Sequence, residues 1–555
     1  MAEWSKTSRF RINPFKLGLV RCALTQGRSS RYAFGLRSAL KFGLGLSALS
    51  LCLGLAGCGN ERPPANTVVM LIENSPTNLD PRIGLDAASE HIDQLLFDSL
   101  VKHNNHFGFV PDLATDWVTP NPLTYVFHLR RNIHFQNGQL LTARDVKWTF
   151  ESMLDGSIIT VKTGSYQDIA SIETPNPWTV IFHLKRPNNS FIENLADGAI
   201  GIVPYGSGRD FGQHPIGTGP FEFVSQQFDR DVVLARNPHC WSIEPKVARV
   251  RFDVVPDATT RALELQKGAA DVELNSLPAD TVTALSHNPK LIVESTDGTN
   301  LNYIVFNLRN PILSHVRVRQ AIAAAINRPL IIQALFDGRA RLAESLLPPA
   351  HWAWVKTPQH TYDPALANRL LDEAGFPRGK DGIRFHLSLQ TSTEETTRLI
   401  ALAIQAELAR VGIALDVKSY EFGTFYADLT HGSFEMAISR WIGGNEQPDI
   451  FRYQYAYASI PPYGANRGYY NNPEVNRLIA DALTTPTLAQ QKQDYAQVQQ
   501  IVARELPTFD LWYLNTVMVH TRRLTNIHIV PYPAGNYYFL ETAELTTANS
   551  QPQKH

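Results

Sequence analysis

An α/β fold is predicted for this 555-residue chain, and three observations predict it. Short alternating apolar stretches, the pattern of half-buried strands, fill the first part. One of them sets Tyr125, Phe127 and Leu129 against Val126, His128 and Arg130. Long helical periodicities, over residues 393–411 and 488–505, fill a later part. Two apolar-rich extended stretches bracket that helical part, Leu-Asn-Tyr-Ile-Val-Phe-Asn-Leu at 301–308 and Thr-Phe-Asp-Leu-Trp-Tyr-Leu at 508–514. A chain that leaves one composition and returns to it is either a lobe inserted between two crossovers or one large mixed domain. Composition leaves both open.

The N-terminus comes first. Arg28, Arg31, Arg37 and Lys41 precede an apolar run over 42–55. A basic head, a short apolar core and small residues ahead of a cut site form a secretory signal. Leu55-Ala56-Gly57-Cys58 resembles the bacterial lipobox, whose Cys is lipidated and becomes the first mature residue. The expected signal is therefore 1–57, with lipidation at Cys58 and a polar, Pro-rich tether over 58–66. No later apolar run is long enough to span a bilayer, so the mature protein is expected to sit on a membrane through lipid.

Cleavage removes nine basic residues and one acidic residue. The 51 basic and 52 acidic residues become 42 and 51, a net charge of −9. An acidic chain is a poor nucleic-acid partner. The remaining length suffices for two or three domains. Cys22 and Cys52 leave with the signal and Cys58 carries lipid, so Cys240 stands alone. That predicts no internal disulfide, and no metal-spaced Cys/His set is present, so no cofactor or metal is expected.

The elements follow in order. Residues 68–72 read as a buried strand, and 87–101 as a helix with Ile92, Leu95, Leu96 and Leu100 on one face. The strand at 125–130 is followed by Gly138 as a hairpin turn. Thr142 starts a helix with Asp145 three residues on, close to a capping box. Residues 176–184 read as another hairpin strand. Gly217 and Gly219 before Pro220 read as a tight turn. Asp363-Pro364 caps a helix that Gly375 stops, with Leu370, Leu371 and Phe376 as core.

Several segments then carry a resemblance. Residues 124–150 run from Thr124 to Phe150 through Leu129-Arg130, Phe135-Gln136-Asn137-Gly138 and Thr142-Ala143-Arg144-Asp145-Val146. With Leu79-Asp80-Pro81-Arg82, Pro111-Asp112-Leu113-Ala114, Gly217-Thr218-Gly219-Pro220-Phe221, Ala235-Arg236-Asn237-Pro238, Val316-Arg317-Val318-Arg319-Gln320-Ala321 and Glu373-Ala374-Gly375-Phe376, they resemble one family in one order. That family is the oligopeptide/dipeptide-binding class of ABC-importer solute-binding proteins, bacterial extracellular family 5. The resemblance covers essentially the whole mature chain.

It implies a two-lobed periplasmic-binding-protein (Venus-flytrap) fold with mixed sheets, an enlarged first lobe and two crossover strands as hinge. The implied divisions are lobe 1 over 67–299 with an extra subdomain at roughly 85–205, lobe 2 over 300–508, a return to lobe 1 over 509–545 and a tail over 546–555. It also implies a monomer in the cell envelope, serving an ABC permease and its ATPase subunits. Solute is captured by lobe closure, and a peptide is held extended against strand edges. Here those edges are expected at Ser75, Pro76 and Thr77 and at Ser439, Arg440, Trp441, Ile442 and Gly443.

The resemblance places an Asp, which pairs with the peptide α-ammonium, three residues after the Trp; here that position is Gly444. A cleft Arg found three residues before the Trp in an oligopeptide-binding relative is Ile438 here. Arg440 stands where a small residue is usual, either touching solute or paired with a carboxylate, and Glu446 is a candidate substitute for the amine anchor. Trp441 is expected as a cleft wall. The lost anchors leave non-peptide solutes open: an oligosaccharide, for which Trp352 and Trp354 would serve with Trp441, a metal chelate or haem. A hydrolase is the rival class. His103, His106, His128, His134 and His183 are frequent in the first lobe, yet no H-E-x-x-H and no G-x-S-x-G occurs. No enzyme activity is expected.

Overall fold

The apolar stretches at 301–308 and 508–514 belong to two long strands that pair with each other antiparallel, Leu291–Phe306 and Thr508–Thr521. The computed structural model describes residues 65–104, 107–160, 162–196, 200–442, 447–461, 463–485, 487–530 and 537–546. The signal, Cys58, His106, Gly443, Gly444 and Glu446 lie outside the described residues.

The main sheet has eleven described strands: β1 (Thr67–Ile72), β2 (Phe221–Gln227), β3 (Asp231–Arg236), β4 (Arg249–Val254), β5 (Val272–Leu274), β6 (Leu291–Phe306), β7 (Ala340–Leu342), β8 (Phe385–Ser392), β9 (Ile413–Tyr420), β10 (Met436–Trp441) and β11 (Thr508–Thr521). Their order is β9-β8-β10-β6-β11-β5-β1-β4-β3-β2, with β7 paired on β11. One end of the β6/β11 pair holds β10 and β7, and the other end holds β5. A single strand pair therefore threads both lobes. The fold is the expected two-lobed α/β architecture with mixed sheets. The expected divisions at 299/300 and 508/509 fall within β6 and at the start of β11.

Period-two alternation gives these strands two buried faces. Ile304, Phe306, Phe509 and Leu511 pack under helices Val316–Ala325 and Glu395–Arg410. Tyr303, Val305 and Tyr513 pack under helices Pro473–Thr484 and Leu488–Glu505. Each fully buried large side chain contributes about 1.5–3 kcal/mol. In the first lobe β1 is central and parallel to both neighbours. Val68, Met70 and Ile72 enter one core and Val69 and Leu71 another, so its sequence is continuously apolar.

A second, four-stranded sheet enlarges the first lobe. Its order is Ala114–Asn121, Thr124–Leu129, Thr179–Leu184, Ile169–Asn176. Tyr125, Phe127 and Leu129 point into its core, against helix Ala143–Leu154. The Thr142/Asp145 capping box is formed at that helix's start. Gly138 has φ +84° in its turn.

One local expectation is corrected, and one gains a second reason. The helix read over 87–101 ends at Leu96, because Phe97 turns extended and Val101 starts a strand. The chain bends over 218–220, and close approach also demands Gly217 and Gly219. A Cβ on Gly217 would stand 1.9 Å from Leu96 O, and one on Gly219 2.6 Å from Leu95 O. The glycines let this segment lie against the end of helix Ala87–Leu96, where Gly219 N–H donates to Leu96 O at 3.0 Å.

Candidate functional site

β10 carries the central part of the candidate site. It pairs with β6 along its whole length, Met436↔Phe306 to Trp441↔Leu301. On its other side β8 reaches only Met436 and Ala437. From Ile438 to Trp441 that edge has no strand partner among the described residues. Alternation turns Ser439 and Trp441 to the Tyr303 face and Arg440 to the opposite one.

Trp441 lies over Tyr303, with ring centroids 6.2 Å apart and planes 7° apart, and meets Tyr453 edge-on at 6.0 Å. Its Nε1 is buried without a hydrogen-bond partner. Arg467 completes this corner. Its Cζ is 5.3 Å from the Tyr426 ring centroid and 5.9 Å from that of Trp441. Its Nη1 donates to Tyr303 Oη at 3.3 Å and its Nη2 to Tyr426 Oη at 3.5 Å. Burial works against the Arg467 charge, but the Tyr303 and Tyr426 hydroxyls outweigh it and hold the guanidinium above its ordinary value. Burial raises the Tyr303 phenol, partly opposed by Arg467, Ser439 and Gln454.

Arg440 is exposed on the other face. Its charge acts on Glu394, which caps helix Glu395–Arg410. Burial raises that carboxyl, but hydrogen bonds from Thr397 and Thr396, with Arg440 adding attraction, bring it below the ordinary range. Ile442 is exposed just beyond β10.

The edge expected in the first lobe is corrected. β1 stops at Ile72, and Ser75, Pro76 and Thr77 form no strand. Their polar groups are engaged locally. Asp229 N–H donates to Ser75 Oγ at 2.7 Å, and Gln226 Nε2 donates to Pro76 O at 3.0 Å. Thr77 N–H donates to Ser89 Oγ at 3.0 Å, and Pro76 has no N–H. Pro76 and Thr77 have no free backbone N–H with which to pair a strand.

The lobes also touch away from the crossover. Asn189, after the four-stranded sheet, donates through Nδ2 to Ala482 O at 3.1 Å and Thr485 O at 2.9 Å, at the end of helix Pro473–Thr484. Beside this contact a cavity of about 610 Å³ is lined from both sides, by Asp168, Arg186 and Asn188 and by Gln447, Asp449 and Arg452.

The histidines weighed for catalysis are dispersed. His103, His128 and His183 lie beside Glu193, Asp116 and Glu173 at 2.6, 2.5 and 3.3 Å. His103 stands at the end of a short strand, where the sequence reads as a polar loop. Among the described residues no group of three or more His, Cys, Asp or Glu could hold a metal ion. No described helix is long and apolar enough to cross a membrane.

The profile of the bacterial extracellular solute-binding proteins, family 5 (middle region), matches residues 108–461. The chain belongs to this family. Di/tripeptide-binding protein 1 of Pseudomonas aeruginosa is 29% identical over 509 residues, covering 85% of this chain and 94% of the relative. Heme-binding protein A of Haemophilus influenzae is 27% identical over 472 residues, covering 80% and 86%. Among solved structures, the ABC transporter substrate-binding protein CtaP of Listeria monocytogenes matches with a TM-score of 0.78 at 22% identity, covering 87% of this chain and 99% of that one. That likeness concerns the fold.

Within this family 5 chain, β10 and Trp441 sit against the crossover strands. Tyr303, Tyr426, Tyr453 and Arg467 were not singled out from the sequence. Tyr303 was visible only as part of an apolar stretch. Arg467 lies in Ala465-Asn466-Arg467-Gly468, a loop whose only pattern is turn-forming residues.

Proposed function

We propose that this family 5 protein is the lipid-anchored receptor of an ABC importer. It captures oligopeptides or peptide-like solutes by closing its two lobes, near the divisions at 299/300 and 508/509. It then delivers them, as a monomer on the outer face of a membrane, to a permease and its ATPase subunits. The observation that carries this reading is the unpaired Ile438–Trp441 edge beside the aromatic wall of Trp441. An extended peptide adds to such an edge through its backbone, so affinity tolerates varied side chains. A relative named for di- and tripeptides over nearly its whole length supports the peptide class.

A non-peptide solute is the second reading. The lack of a strand at Ser75–Thr77 favours it, as does the local engagement of Pro76 O and Thr77 N–H. A relative named for haem shows the breadth of the family. Both readings predict binding without turnover. A ligand present at a hundredfold excess over Kd stabilises the folded state by about 2.7 kcal/mol. Thermal unfolding with di-, tri- and oligopeptides, oligosaccharides, metal chelates and haem is expected to raise Tm for one class, with the ligand recovered intact by mass spectrometry. A ligand consumed during incubation would overturn the binding-only reading.

A further inference from the structure

Five arginines are buried among the described residues, and four of them each donate to a carboxylate or to several backbone carbonyls. Arg82 is held by both Asp80 carboxylate oxygens, at 2.9 and 2.8 Å. Arg261, Arg319 and Arg328 each donate to several backbone carbonyls. Arg467, 8% exposed, has no carboxylate and no carbonyl partner among the described residues. Its two bonds are long and go to neutral phenols, so it uses two of the five N–H donors a guanidinium carries. Burial disfavours this charge, and in the absence of a carboxylate the neighbouring tyrosines are what offset it. Beside it, Trp441 Nε1 is a second buried donor without an acceptor. The flanking Tyr426 and Tyr453 are themselves 47% and 39% exposed, so the corner lies near the surface. Both donors lie in one corner, with Arg467 Cζ 5.9 Å from the Trp441 ring centroid, and no carboxylate is bonded to either among the described residues.

We propose that Arg467, with Trp441 Nε1, is the receptor for a carboxylate of the solute, set where the free edge of β10 ends. A planar carboxylate matches the guanidinium fork, and the flanking rings hold that fork in place. The corner thus selects for an acidic group, either a chain-terminal carboxylate or an acidic side chain. The proposal rests on the solute-binding reading above, and the test separates the two.

The probes are tri-alanine, tri-alanine amide and Ala-Glu-Ala amide, titrated calorimetrically into the wild-type protein. A probe with a carboxylate is expected to bind at least about tenfold tighter than tri-alanine amide. Preference for tri-alanine identifies the chain terminus, and preference for Ala-Glu-Ala amide identifies a side chain. In Arg467→Gln the acid is expected to lose at least about tenfold and the neutral amide less, while Arg467→Lys keeps part of the preference. Unfolding midpoints report whether the variants fold, and the wild-type comparison decides without them. Equal affinity for all three probes, or a preference that survives in Arg467→Gln, overturns the carboxylate receptor and leaves peptide binding standing. If none of the three binds, the peptide reading fails and acetate decides the site. A change in Trp441 emission on acetate titration, isolated with Trp441→Phe and lost in Arg467→Gln, upholds the receptor. No change in the wild type overturns it as well.

Discussion

Asp510 lies on β11 opposite Tyr303, and burial pushes its carboxyl up to about 7 against the attraction of Arg328. Its Oδ1 is buried without a hydrogen-bond partner. The unfolded chain releases this proton near pH 4, whereas the folded chain keeps it until about pH 7. The stability tied to it is therefore full below about pH 4 and is lost as pH rises through 7. Asp510→Asn is expected to remove that slope, so that between pH 5 and pH 8 the variant loses at least about 1 kcal/mol less than the wild type. Urea midpoints at the two pH values check this, and parallel losses would show that Asp510 ionises normally. At Gly444 the side chain itself is the issue. With Gly where the resemblance implies an Asp, a free α-ammonium bound there would lack that Asp's counter-charge, and leaving it buried would cost several kcal/mol. N-acetylated peptides are then expected to bind at least as tightly as free-amine ones in calorimetry. Loss of tight binding on acetylation would identify another anchor, Glu446 first. These residues mark how much of the site was legible. Trp441 was, because its segment carries the family pattern. Arg467 was not, because its meaning lies in which acceptors it lacks, a property of the folded surroundings. Ser75–Thr77 was expected as an edge from the resemblance alone, and where β1's hydrogen bonding stops, at Ile72, is set by its neighbours in the fold.

The crossover pair is the element on which both lobes depend. Between Thr296 and Asn300 the β6/β11 register shifts, and Gly298 sits in that interval. A Cβ there would lie 2.1 Å from Leu514 O and 3.0 Å from Thr516 N, both backbone atoms that cannot swing aside. Gly298→Ala is expected to push the strands apart at a cost of about 1–3 kcal/mol. Scanning calorimetry should show Tm lowered by a few degrees, and an unchanged Tm would mean the strands have slack there. Elements were the most legible scale. The Leu488–Glu505 helix and the Asp363-capped helix Pro364–Glu373 follow from periodicity and capping, which are local. What stayed hidden was tertiary. The crossover strands extend to Leu291 and Thr521, well past the apolar stretches at 301–308 and 508–514, because partners on both lobes extend the ladder beyond the apolar core. The Gly217 and Gly219 positions likewise answer to a helix more than a hundred residues away in sequence.

At the scale of the whole molecule two attachments matter, one to the membrane and one between the lobes. The proposed anchor at Cys58 rests on the lipobox resemblance of Leu55-Ala56-Gly57-Cys58. Two or three acyl chains hold a protein stably, at about 0.8 kcal/mol per buried methylene. Cys58→Ser is expected to release the protein from membranes or stall its processing, and unchanged fractionation and mature size would refute the anchor. The lobe contact at Asn189 is a second lever. Its amide donates to two carbonyls, Ala482 O and Thr485 O, at the end of helix Pro473–Thr484. If closure about β6 and β11 captures solute, these bonds form in the closed state and are lost on opening. Each hydrogen bond contributes about 0.5–1.5 kcal/mol net. Asn189→Ala should then shift the equilibrium toward the open form and weaken solute binding by about five- to 150-fold, chiefly by faster release. The residue lies outside the β10 corner, so the Trp441 surroundings should keep their emission in the ligand-free variant. Stopped-flow release rates, with small-angle scattering of the ligand-free forms, test the argument together. An unchanged release rate would place this contact outside the closing motion and leave the crossover strands to hold the lobes alone.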